Sequence, residues 1–177
     1  PPSPPPPHVP LEVGAPGESD LSLEAAVAFA IHGTSNPVTI RLGAGTHELS
    51  PVSLGPGTNA SELRLLGEEG TVLTLPAGYA TESTALLTIE KGGPAVLMRA
   101  ITLYAHIHVD GGTLELDNCT MVAPQTRRAL SSSDESDDGA VVALPAIEVT
   151  MMTSEVVVRG SLIEGYQASA ITLGRGS

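Results

Sequence analysis

Tryptophan is absent from this chain of 177 residues, and Phe29, Tyr79, Tyr104 and Tyr166 are its only aromatic side chains. A core must therefore come from Val, Ile, Leu, Met and Ala. The supply is adequate, because hydrophobic residues make up 41% of a length that suggests one domain. Basic residues are scarce as well: eight Lys and Arg face twenty Asp and Glu, for a net charge of −12. That balance argues against DNA or RNA, whose phosphates need a basic footprint, and against anionic membrane surfaces. No apolar run approaches the roughly 20 residues needed to cross a bilayer, which argues against membrane insertion. The opening "PPSPPPP" has neither the charged start nor the apolar stretch of a signal peptide. A secreted form would have lost its signal already or be a segment of a longer precursor. Cys119 stands alone, which excludes an internal disulfide. An odd cysteine can be an intermolecular bridge or a reactive thiol, but burial is the commoner fate of a free thiol.

What is present is glycine, nineteen residues of it, between short aliphatic runs. Six apolar pairs recur with one residue between their members: Ile40/Leu42, Leu63/Leu65, Leu87/Ile89, Ile107/Val109, Ile147/Val149 and Ile171/Leu173. Their offsets are 23, 24, 20, 40 and 24 residues, the long one spanning the polar insertion "RRALSSSDESDDG". A second series aligns without gaps: "AVLMRAITLYA" (95–105), "TLELDNCTMVA" (113–123) and "EVVVRGSLIEG" (155–165). It matches Val96, Leu114 and Val156, then Met98, Leu116 and Val158, then Leu103, Met121 and Ile163. Ala100, Asn118 and Gly160 share the corner between two strands. A strand–bend–strand unit of this size cannot bury its apolar side alone, whereas stacked units bury a continuous column. A β-sandwich would also use short strands and Gly-rich turns, but it does not require the bend to return at one phase. The pattern predicts a solenoid of parallel β coils.

One segment reads as helix. In "SDLSLEAAVAFAIHGT" (19–34), Asp20 or Ser22 can cap the start and Gly33 the end, with Leu23, Val27, Ala30 and Ile31 on one face. A short amphipathic helix is a suitable cover for a solenoid's first rung. The run "LSLEAAVAFAIHGTSNPVTIRLGAGTHEL", followed by rungs such as "LELDNCTM", resembles the entry to the pectin-lyase-like right-handed parallel β-helix proteins. The resemblance spans roughly residues 20–176. It implies an all-β, right-handed parallel β-helix over 35–177, entered through a lead-in and capping helix at 11–34 and carrying an acidic loop insertion near 127–139.

That fold hosts lyases, hydrolases, adhesins and inert spacers, so activity must be read from a site. The chain has no paired Asp motif on a strand, no Gly-His-Gly and no Arg-x-Lys, so no catalytic residue is assigned. His106 and His108 in "HIHVDGG" are the best catalytic or metal candidates. Their spacing places them on one side of a strand, and with Ile107 and Val109 inward both face solvent. No further ligand at fixed spacing completes a zinc site. His32 and His47 read as ordinary surface or turn residues. Asp134, Glu135, Asp137 and Asp138 in "SSSDESDDG" miss the spacing of an EF-hand loop and read as a solvated run. No metal or other cofactor is expected. A sugar-binding platform would want exposed rings, for which only Tyr104 and Tyr166 are available. Thr39, Thr88, Thr102 and Thr172 do not repeat on every coil, as an ice-binding ladder would.

Two sequons, Asn59-Ala60-Ser61 and Asn118-Cys119-Thr120, are N-glycosylation acceptors if the chain is secreted; Asn36 is excluded by Pro37. Seven of the fifteen prolines fall in the first ten residues, and such a run forms a stiff polyproline II rod. A linker or a ligand for a PxxP-binding domain is the plain expectation for it. Residues Pro1, Pro2, Ser3, Pro4, Pro5, Pro6 and Pro7 also resemble the Ser-Pro blocks of extensins and of green-algal cell-wall and flagellar glycoproteins. That resemblance implies hydroxylated, O-glycosylated residues on an extracellular protein. The chain stops after the rung "SAITLG" without a helix or charged closure, leaving strand edges that invite a neighbour. The expectation is a secreted structural glycoprotein module, a subunit of a fibril, cell wall or surface coat. Its partners would be other copies, docked head to tail, or other extracellular glycoproteins. The alternative is a polysaccharide-binding or polysaccharide-cleaving β-helix whose active coils lie outside this segment.

Overall fold

The computed structural model describes residues 10–15, 21–33, 36–79, 84–123, 145–151, 153–166 and 170–173. The Ser-Pro block and the acidic insertion lie outside the described residues. Those described are mostly β and include one short helix. Strand β1 (Leu11–Val13) and helix α1 (Leu23–His32) lead into β2 (Val38–Leu42), β3 (Gly45–Glu48) and β4 (Val52–Leu54). A second circuit comprises β5 (Glu62–Gly67), β6 (Thr71–Thr74) and β7 (Ala85–Glu90). A third comprises β8 (Ala95–Arg99), β9 (Thr102–Tyr104) and β10 (His106–Asp110). The fourth and fifth are β11 (Thr113–Asp117), β12 (Thr120–Val122) and β13 (Ile147–Val149), then β14 (Glu155–Arg159), β15 (Leu162–Glu164) and β16 (Ile171–Leu173).

Each circuit contributes one strand to each of three sheets, in the orders β1-β2-β5-β8-β11-β14, β3-β6-β9-β12-β15 and β4-β7-β10-β13-β16. The strands pair in parallel throughout these sheets, so the chain climbs a solenoid-like stack. Alternation decides what is inside. In β2 and β11 every second residue is buried and the residues between are not. Register turns these into columns, such as Ile40, Leu65, Met98, Leu116 and Val158 along the six-stranded sheet. Leu65, Met98 and Leu116 are fully buried. Burying a side chain of this size contributes about 1.5–3 kcal/mol. The columns therefore hold the coils together.

The corner after the six-stranded sheet has a backbone reason for its residues. Ala100, Asn118 and Gly160 have φ of 55°, 52° and 56°, the left-handed region that disfavours most side chains. Val96, Met98 and Leu103 stand in register with the Leu114, Leu116, Met121 row and the Val156, Val158, Ile163 row, as the gapless alignment predicts.

The first series of pairs needs correction. Ile40 pairs with Leu65 rather than Leu63, and Leu87 lies in a different sheet from Leu63. The series thus steps from one sheet to another. Its later members are true partners: Leu87, Ile107, Ile147 and Ile171 share one row, across the 40-residue offset too. Each circuit has three strands, and β1 adds a strand ahead of the helix that the alternation did not reveal.

Helix α1 starts as the sequence indicates. Ser22 Oγ accepts from the Ala25 amide at 3.2 Å, and Gly33 follows the last turn. Leu23, Ala26, Val27 and Ala30 are buried in the same core as Val13, Val38 and Ile40. Ile31 is only partly buried.

Candidate functional site

The two histidines singled out in "HIHVDGG" part company in the structure. His106 is buried, not solvent-facing, because the β7–β10 register shifts between His106 and Ile107, so strict alternation begins only at Ile107. Its Nδ1 donates to the Pro145 carbonyl at 2.7 Å, and its ring meets Tyr166 edge-on at 5.7 Å. The Tyr166 hydroxyl donates to the Ala105 and Val122 carbonyls at 2.9 and 3.3 Å. Burial pushes the Tyr166 phenol up to about 12. His47 is also buried, and its Nε2 donates to the Gly43 carbonyl at 2.8 Å. Thr71 Oγ1 donates to that carbonyl as well. Apart from Val122, the last residue of β12, the acceptors Pro145, Ala105 and Gly43 lie between strands, where a buried carbonyl needs a partner.

His108 stays on the outer face, at the head of a polar chain joining two coils. Its Nδ1 donates to Glu148 Oε2 at 3.1 Å, and its Nε2 lies 3.3 Å from Thr150 Oγ1. The Thr150 hydroxyl donates to Asp110 Oδ1 at 2.7 Å. A hydroxyl, an imidazole and a carboxylate in line suggest nucleophilic chemistry. Acyl transfer would also need free N–H donors for an oxyanion. The neighbouring amides are already committed, Thr150 to the Val109 carbonyl and Gly111 to Ser154 Oγ. The chain acts as a clamp between coils. Among the described residues, no group of three His, Cys, Asp or Glu is placed to hold a metal ion.

Cys119 is buried, with Sγ 3.6 Å from the Asp117 carbonyl, and desolvation pushes its thiol up. Asn118 is exposed at its corner and donates Nδ2 to Asp117 Oδ1 at 2.9 Å. Asn59 is exposed too, but it has a structural task the sequon does not advertise. Its backbone amide donates to the Ile31 carbonyl and its Nδ2 to the His32 carbonyl, at 2.8 and 2.9 Å. The Ala60 amide donates to Ala30. The loop after β4 thus satisfies the last carbonyls of α1.

Composition also conceals a charge pattern. Four of the five Lys and Arg side chains among the described residues (Arg41, Arg64, Arg99 and Arg159) lie on the outer face of the six-stranded sheet. Each meets a carboxylate there: Glu12 at 3.8 Å, Glu62 at 2.7 Å, Asp117 at 2.9 Å, and Glu115 in contact with Arg159. Such exposed pairs each contribute little to stability. A groove of about 480 Å³ at the edge of this face lies between Glu12, Arg41, Leu66, Glu68 and Arg99.

The two ends of the stack differ from its middle. In the fourth coil Leu114, Leu116, Met121, Ile147 and Val149 are buried. Their row partners in the fifth are not: Val156, Val158 and Ile163 are only partly buried, Ile171 is 40% exposed and Leu173 77%. At the other end α1 contacts β1 and β2, and it turns Ala25, Ala28 and Phe29 to solvent, Phe29 being 49% exposed. Ile171 and Leu173 of the fifth coil and Phe29 of α1 are thus among the exposed large apolar side chains of the described residues.

Comparison of the chain with protein-family models, with curated proteins and with solved structures returns no match. Function must therefore be argued from these surfaces.

Proposed function

We propose that the chain is a secreted structural glycoprotein module, a right-handed parallel β-helix with α1 as its cap, serving as a repeating subunit of an extracellular fibril, cell wall or surface coat. The observation that carries this is the stack of parallel coils, whose apolar rows continue in register from β2 to β14. Such a stack gains its stability from one continuous buried column, which suits a rigid structural module. Asn59, exposed in the loop after β4, and Asn118, exposed at its corner, would carry N-linked glycans, and residues 1–7 would carry hydroxyproline-linked ones. Mass spectrometry of the protein from its native source tests this. Hexose-bearing hydroxyproline in the first seven residues and glycan mass at either sequon are expected; an unmodified chain would contradict the secreted assignment.

The polar chain from Glu148 to Asp110 favours a second reading, a polysaccharide-binding or polysaccharide-cleaving β-helix with its active coils outside this segment. Binding of a uronic-acid polymer that is weakened in His108→Ala would support it, and no binding by the wild type would count against it.

A further inference from the structure

The outer face of the six-stranded sheet carries a row whose charges complement their own reversal. Strand register sets Glu12, Arg41, Leu66, Arg99, Asp117 and Arg159 side by side, one from each strand. Laid against a copy running the other way, Glu12 meets Arg159, Arg41 meets Asp117, and Leu66 meets the stem of Arg99. Acid faces base wherever two charges meet. The adjacent outward row holds Thr39, Arg64, Leu97 and Glu115. Reversed about the same centre, Thr39 faces Glu115 and Arg64 faces Leu97, again without like charges. A two-fold axis lying along the row would instead set each arginine against its own copy. The groups are accessible. The side chains of Arg41 and Arg99 are 60% exposed, those of Glu12 and Arg159 64%, and Leu66, Leu97 and Asp117 are partly exposed.

We propose that this face binds a second copy of the chain, face to face and with the two stacks antiparallel, in a two-fold symmetric dimer. The contact is isologous, so each complementary pair occurs twice. Neighbours in the row are already acid–base pairs, Glu12 with Arg41 at 3.8 Å and Asp117 with Arg99 at 2.9 Å. In the dimer the Glu12–Arg41 pair lies against Arg159 of the partner subunit and Asp117 of the partner subunit. Exposed pairs that contribute little alone thereby join a larger network. Leu66 and the aliphatic arginine stems supply its apolar centre. Strand spacing and length give the face about 24 by 17 Å. That is short of the roughly 800 Å² a side of a standard interface, so the dimer is a weak one. Its charges fix orientation and register more than affinity. The face is lateral, so the contact involves neither pole of the stack. It goes beyond the structural-module reading and does not depend on it.

Two charge reversals and their mixture test the proposal, by sedimentation velocity of the full chain at high concentration and low ionic strength. Arg41→Glu sets acid against acid at both symmetric contacts, and Asp117→Arg sets base against base. Each should raise the dimer dissociation constant by at least about tenfold. In an equimolar mixture both contacts between unlike chains join acid to base again, and most of the wild-type dimer should return. Arg41→Glu mixed with Arg159→Glu should not recover, because each unlike pairing keeps a like-charge contact at both residues. Urea melts check that the variants fold. Should Asp117→Arg fail that check, Glu12→Arg and Arg159→Glu repeat the rescue at the other complementary pair of the row. The proposal is overturned by a wild type that stays monomeric, by folded reversal variants that dimerise as well as the wild type, or by a mixture that does not regain the dimer.

Discussion

Asn118 serves two demands at one position. The corner requires a left-handed backbone, which asparagine tolerates better than most side chains, and the same residue opens a sequon. Ala100 and Gly160 meet the backbone demand without the sequon, so the recurrence of small or turn-forming residues there reflects the corner. Burial governs the titrating residues nearby. Cys119 and Tyr166 hold their protons more tightly folded than unfolded. Above the unfolded values, about 8.5 for a thiol and 10 for a phenol, the native state binds more protons than the unfolded one, so stability falls as pH rises. Below about pH 7 both groups are protonated in either state and contribute almost no slope. Tyr166→Phe should remove the part of the alkaline loss that falls between about pH 10 and about 12, measured by denaturant melts across that range. A native absorbance titration in which the Tyr166 phenolate appears near pH 10 would contradict its burial.

Elements three to six residues long hold this fold through rows, so a substitution should cost what its row position dictates. Leu116→Ala, in the closed fourth coil, should cost about 2–5 kcal/mol. Val158→Ala, its partner in the open fifth coil, removes fewer buried atoms and should cost less than about 1.5 kcal/mol in the unassembled chain. Equal losses in urea melts would mean that the fifth coil is covered. The strongest part of the sequence signal was also at this scale. The unbroken 95–105, 113–123 and 155–165 alignment carries both the two-residue alternation and the left-handed corner, and together they fix the register residue by residue. Apolar–x–apolar pairs alone do not say which sheet they belong to, because two of the sheets use the same pattern. That is why Leu63 and Leu87 look like successive rungs although they lie in different sheets. Strands β3 and β6, with Gly45, His47, Thr71 and Thr74, have too few apolar residues to stand out. The burial of His106 follows from the register shift before Ile107, and that of His47 accompanies its bond to the Gly43 carbonyl; no side-chain pattern records either.

At the scale of the whole molecule, the described coils form a stack whose flank carries paired arginines and carboxylates. The solenoid architecture is legible in the sequence because repetition is visible there. The arginine face is not, since Arg41, Arg64, Arg99 and Arg159 lie far apart in a strongly acidic chain and only the three-strand circuit brings them together. The most direct measurement is electron microscopy of concentrated protein from its native source, with diffraction from any ordered fibres. Unbranched filaments with a subunit-sized repeat, and a reflection at about 4.8 Å along the fibre axis, are the predicted result. Dispersed particles of single-subunit size at high concentration would contradict it.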